Sequence, residues 1–195
     1  NLAHNQRYGW PFPFSYLSAG KSQNESTTIY APAQAFGIKA LLDTYCATKV
    51  KKYLNAAQNA LDYFAKFKTN TSHGYYLWYS DNPNDNINVP NTNALLMGQY
   101  ARAAKILDSK KYKEISENIF TDLWKSRFVN IKGTFWPYSD INRKKDNDAI
   151  HHAFILQGLI EYKKYQNSEL TLSRVIKFMD GFFSENRVYK WHPIS

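Results

Sequence analysis

The sequence predicts an all-α fold: repeated antiparallel helical hairpins forming a partial α/α toroid, with short extended Trp-containing segments between them. Three observations predict it. Features recur at a spacing of 59: Gln34, Asn93 and His152 each precede an Ala, and "KKY" stands at 51–53 and again at 110–112. Each unit holds two stretches with apolar residues at helical spacing. An aromatic motif separates the units, as "YGWPFPFSY" at 8–16, "GYYLWYSDN" at 74–82 and "GTFWPYSD" at 133–140, with a shorter "YKWHPIS" at 189–195. Common helical solenoids repeat at about 34 to 47 residues, so a period near 60 favours the toroid.

Taken in order, the first helix spans 31–47, where Phe36, Ile38, Leu41, Leu42 and Tyr45 share a face. The second spans 50–67 through Leu54, Ala57, Leu61 and Phe64. The next pair is expected at 90–107 and 110–127, the last at 148–165 and 168–184. Pro32 and Pro90 suit first-turn positions, where a missing N–H is harmless. Asp146 or Asp148 can cap the third unit. Short joints make the partners antiparallel. The whole reads as one domain over 1–195, with repeats at 29–88, 89–147 and 148–195. A closed ring of six hairpins needs about twice this length by the period of the repeat. The chain starts at Asn1, so a trimmed or partial form of a longer protein is expected, with an extracytoplasmic location favoured.

Composition narrows the function. Hydrophobic residues at 44% give a folding sequence. Aromatics at 16%, including 15 Tyr and 5 Trp, suit clefts where flat rings meet the apolar faces of sugars. The +9 charge points to an anionic partner. The densest basic run is "RKK" at 143–145, too short for a nucleic-acid arm, so an acidic glycan is preferred to nucleic acid. No run of eighteen apolar residues exists to span a membrane. Cys46 is the single cysteine, which rules out an intramolecular disulfide and a Cys-based metal site. A nucleophile elbow, a phosphate-cradling loop and a dinucleotide fingerprint are missing, and no cofactor is expected.

Chain order places a site. Every Trp motif precedes a first helix of a pair, so all lie at one rim of the molecule. Gln34, Asn93 and His152 stand in the first turns at that rim. The expectation is a polar floor between aromatic walls, with Trp10, Trp78, Trp136 and Tyr30 as walls and Arg143 adding charge. A structural reading stands beside it. Polar residues in first turns also serve as caps, and a Trp in a repeated loop also plugs the gap between hairpins.

The segment "WPYSD…DNDAIHHAF" (136–154) resembles α/α-toroid carbohydrate-active proteins, including the six-hairpin glycosidase type. "GWPFPFSYL" at 9–17 is similar to D-glucuronyl C5-epimerase-like proteins. The resemblance implies uronate-containing glycans as substrates, with Tyr, His or acidic side chains moving a proton at C5. On that basis His152 is the candidate base, oriented by Asp148 four residues earlier. Tyr138 or Tyr79 is the acid, and Asn93, Gln34 and Arg143 hold the carboxylate. Epimerisation and β-elimination both fit. A glycoside hydrolase would need two carboxylates flanking a bond, with Asp81, Asp140, Asp146 and Asp148 available. Asp148 and His152 could also present two metal ligands, but one such pair is too few, and no metal is expected. A non-catalytic glycan-binding module, or a scaffold holding a protein partner on its concave face, needs only the aromatic platform and the charge.

Overall fold

The computed structural model describes residues 3–4, 7–18, 22–141, 148–166, 168–184 and 187–188. Four short strands come first: β1 (Ala3–His4), β2 (Arg7–Tyr8), β3 (Tyr16–Leu17) and β4 (Gln23–Asn24). Then come α1 (Ala31–Thr48) and α2 (Lys51–Phe64), the hairpin β5 (Lys68–Asn70) and β6 (Tyr75–Leu77), and α3 (Pro90–Leu107) with α4 (Lys110–Lys125). A second hairpin, β7 (Phe128–Asn130) and β8 (Gly133–Phe135), leads to α5 (Ala149–Gln166) and α6 (Ser173–Asp180), then to β9 (Phe183–Ser184) and β10 (Arg187–Val188). Among the described residues, the five strand pairs are two-stranded and antiparallel.

The helices α1, α3 and α5 form an inner layer and α2, α4 and α6 an outer one. The centre is α3. Fifteen of its eighteen residues are buried, among them the polar Asn91, Asn93, Gln99 and Arg102, so packing surrounds it on every side. Gly158 makes the closest approach possible: a Cβ there would overlap the Ala94 carbonyl. Tyr100 donates to Leu61 O at 2.8 Å, tying α3 to α2. The outer helices α2 and α4 are two-faced instead, with Leu54, Ala57, Leu61 and Phe64 turned inward on the first.

The 59-residue period is visible in the backbone. The turns between α1 and α2 and between α3 and α4 pass through left-handed residues, Lys49 (φ 60°) and Asp108 (φ 48°). The tips of the two long hairpins need glycine at Gly74 (φ 156°) and Gly133 (φ 138°). Each tip packs on the outer helix of the next pair, where a Cβ would overlap Asn118 O or Arg174 O. Both pairs of positions are 59 apart.

Five helices match expectation within a few residues, but α6 begins at Ser173 and not at 168. The stretch 168–172, "SELTL", mixes a Ser and a β-branched Thr, both weak in helix interiors. The Ser168 hydroxyl instead accepts from Leu170 N at 3.2 Å, a turn geometry that competes with a helix. Among the described residues, no helix is long and apolar enough to cross a membrane.

Candidate functional site

The third inner helix starts on a side-chain cap. The Asp148 carboxylate accepts from His151 N at 2.9 Å and from the His151 ring Nδ1 at 2.7 Å. The equivalent cap positions of α1 and α3, Tyr30 and Val89, make no such bond, and Pro follows them. His151 remains about one-third exposed while Asp148 is nearly covered, at 30% and 12% of their side chains. The His151 ring stands edge-on to Tyr138 at 5.1 Å and to Phe154 at 6.2 Å. Phe154 in turn meets Phe36 of α1 at 5.5 Å, across α3. The result is a half-open imidazole, fixed by a carboxylate, on an aromatic surface spanning the inner helices. In a neutral imidazole, Nδ1–H donating to Asp148 leaves the lone pair on Nε2.

Tyrosines continue this surface. Tyr30 is buried and stacked on Phe12 at 4.4 Å, and it meets Tyr16 and Tyr79 edge-on at 5.7 and 5.8 Å. Burial pushes the Tyr79 phenol well above its ordinary range, and the nearby Tyr16 and Tyr138 phenols push the same way. Burial also raises Tyr138, with Tyr16 and the Asp148 charge adding to it. Both phenols therefore stay protonated in neutral solution. Tyr79 and Tyr138 are the same position of a repeated "YSD", 59 apart.

Several expectations need correction. His152 is fully buried, its Nε2 lies 3.1 Å from Val175 O, and its ring packs 4.8 Å from Phe178. Asp148 therefore orients His151 and not His152. A capping side chain turns back over its own first turn, to the third helical residue, and this selects i+3 over i+4. Gln34 and Asn93 are also buried. Gln34 donates to Tyr8 O and Ala60 O, both at 2.9 Å. Asn93 accepts from Leu77 N at 2.7 Å and donates to Leu77 O at 3.0 Å. The repeated polar position is thus a pin between helix and main chain and not an open floor.

Of the three indoles expected as walls, Trp136 is withdrawn from the surface, while Trp10 and Trp78 are half-buried. Trp136 is fully buried, with Nε1 donating to Leu123 O at 2.7 Å. Trp78 closes its own hairpin by donating to Thr69 Oγ1 at 2.9 Å. Trp10 lies over Gly37, where a Cβ would overlap its ring. Trp78 and Trp136 are 58 apart in a 59-residue period, and in a strand one residue changes the face. The true mate of Trp136 is Leu77, equally buried. Arg143, Asp146 and Trp191 lie outside the described residues, as does the side chain of His4.

The other carboxylates separate by partner. Asp81 is a hub: it accepts from Arg7 Nε at 3.0 Å, Tyr63 OH at 2.6 Å and Ile29 N at 3.0 Å. Burial and this carboxylate push the Tyr63 phenol up to about 12. Its repeat mate Asp140 lines a cleft of about 340 Å³ with Asp122, His73 and Lys125. Asp122 there accepts from Thr71 Oγ1 at 2.7 Å.

His151, Tyr16, Phe36 and Phe154 were not singled out from sequence as site residues. The usable signal for His151 was a cap residue followed three positions later by a side chain able to bond it.

With this geometry in hand, known structures place the fold. Cellobiose 2-epimerase from Bacillus thermoamylovorans superposes with a TM-score of 0.71 at 12% identity, over 95% of this chain and 52% of that one. A family 76 glycoside hydrolase (mannosidase) from Bacteroides thetaiotaomicron gives 0.62 at 15%, over 83% and 45%. The unsaturated glucuronyl hydrolase of a Bacillus species, responsible for glycosaminoglycan degradation, gives 0.60 at 14%, over 86% and 52%. The chain shares the helical-hairpin fold of these α/α-toroid enzymes and spans about half their length. No family model matches the sequence, and no curated protein is similar to it.

Proposed function

We propose that this chain is a carbohydrate-active unit whose rim acts on a uronate-containing polysaccharide. The observation that carries the reading is the half-open His151 imidazole, held by Asp148 at 2.7 Å and set edge-on to Tyr138. Removing the C5 proton of a uronate needs a base with a free lone pair, which Nε2 of His151 supplies. The protonated Tyr138 phenol supplies the second proton. Given back to C5 on the opposite face, it inverts the centre. Given to the departing glycosidic oxygen, it completes β-elimination. Tyr79 forms the adjoining wall, backed by Tyr30, which is fully buried and so is a support and not the wall expected of it, and Arg143 is the proposed partner of the uronate carboxylate. Fold similarity to sugar epimerases and a glucuronyl hydrolase supports a sugar substrate and leaves the reaction to the site.

The test is incubation with uronate polymers in D2O. Deuterium at C5, or a new unsaturated uronate end, is the expected product, lost in His151→Ala. Binding without either product would convert the reading to a glycan-binding module. A second reading, glycoside hydrolysis, is favoured by Asp122 and Asp140 sharing one cleft. Reducing ends released by the wild type but not by Asp140→Asn would select it.

A further inference from the structure

Nine of the nineteen lysines gather at the end of the molecule opposite His151. Lys-Lys-Tyr stands at 51–53 and 110–112, at the starts of α2 and α4, and a third copy stands at 163–165, at the end of α5. The third copy is out of phase in sequence but not in space, because inner helices end where outer helices begin. Arg102 shows how near the three ends lie. Its guanidinium bonds Asp43 and Cys46 on α1 and lies 6.0 Å from the Tyr165 ring on α5. Between the second and third ends opens a cleft of about 350 Å³, with Lys105, Lys110 and Lys113 on one side and Tyr165 and Gln166 on the other.

Residues 49–53, 105–113 and 163–166 carry nine lysines against one acid, Asp108, and all nine are exposed. Lys111 pairs with Asp62 at 2.7 Å, and Lys113 reaches Glu117 at 3.8 Å. Among the described residues, no carboxylate lies within ion-pair distance of Lys49, Lys51, Lys52, Lys105, Lys110 or Lys164. So much uncompensated like charge on one face raises the local potential and concentrates polyanions there.

We infer that this face is a second binding surface, separate from the rim, for the carboxylate or sulfate groups of an acidic polysaccharide. Its chemistry selects that occupant. Lys52 and Lys164 sit 5.0 Å over Tyr53 and Tyr165, and Lys111 sits 5.6 Å over Tyr112. Rings covered by their own ammonium groups offer no platform for stacking nucleobases. Arg102 is buried and turned to Asp43, so its fork is not presented to a phosphate. Val50 is the exposed large apolar side chain at this end among the described residues, too little to insert into a lipid surface. Point charges spread along three helix ends instead match charges spaced along a flexible glycan.

The experiment measures binding of dextran sulfate and polygalacturonate to the full chain, with Lys105→Glu/Lys110→Glu/Lys113→Glu, the milder triple Gln variant and His151→Ala. Dextran sulfate affinity should fall at least about tenfold in the Glu variant and less in the Gln variant, and stay unchanged in His151→Ala. It should weaken steeply as salt rises past 0.1 M, where charges are screened beyond about 10 Å. Unchanged affinity in both Lys variants would overturn the inference, as would tighter binding to duplex DNA or to phosphatidylserine vesicles at equal charge concentration. The rim reading is tested separately, because its loss shows as missing C5 exchange with dextran sulfate binding intact.

Discussion

The two ends of these hairpins are built by opposite means. At the base, the connections 49–50 and 108–109 are two residues long, each opening on a left-handed backbone residue. At the rim, the connections 65–89 and 126–148 run past twenty residues, each with a β-hairpin laid on a neighbouring helix. Short turns leave side chains nowhere to go but water, and the base is accordingly a field of lysines. Long connections fold back over the helix ends and bury tyrosine, tryptophan and carboxylate together. The rim can therefore hold an imidazole at a fixed angle, whereas the base can offer only charge. Connection length thus divides positioned chemistry from diffuse attraction.

Both ends depend on the contact between α3 and α5, and breaking it should have the largest effect. Gly158→Val drives a side chain into the Ala94 carbonyl, and the chain should lose cooperative unfolding in urea altogether. A normal transition in that variant would refute the close approach. Next comes Trp136→Ala, which empties a fully buried site and should cost about 3–5 kcal/mol in denaturant titration. If stability held and only glycan binding fell, the indole would be a wall after all. The neighbouring histidines sharpen the contrast within the rim. His151→Ala should reduce turnover about 100-fold or more with little change in Tm. His152→Ala should cost about 2–3 kcal/mol by leaving a cavity among Phe178, Phe182 and Trp136. Equal Tm values for the two variants would erase the distinction. The smallest effect lies at the base. Ser109→Ala removes the oxygen that accepts from Tyr112 N and should cost about 1 kcal/mol, seen as a small Tm decrease with unchanged rim activity.

Much of the fold was legible because the period acts on the backbone. Lys49 and Asp108, Gly74 and Gly133, and Tyr79 and Tyr138 each keep the 59-residue spacing, and helical pairs follow from it. The site was less legible for a reason of register. Trp78 and Trp136 look like one motif, yet a single-residue offset in a strand sends one indole into the core. The choice between His151 and His152 turned on whether Asp148 caps the helix or lies within it, since 100° of helical rotation separates adjacent side chains. Identical patterns at 34, 93 and 152 read as a floor, but buried amides and an imidazole satisfy main-chain groups more often than they greet a ligand.

The near-complete burial of α3 sets a limit on how such a protein can change. In an open solenoid a unit touches only its two neighbours, so units are added or removed with modest penalty. Here the middle inner helix is wrapped by both flanking inner helices and by its own partner. Excising either outer pair would bare a buried face of α3 to water. Variation by whole-unit deletion is closed to this architecture, and novelty must enter through the long connections, where Tyr79, Tyr138, Asp81 and Asp140 already stand.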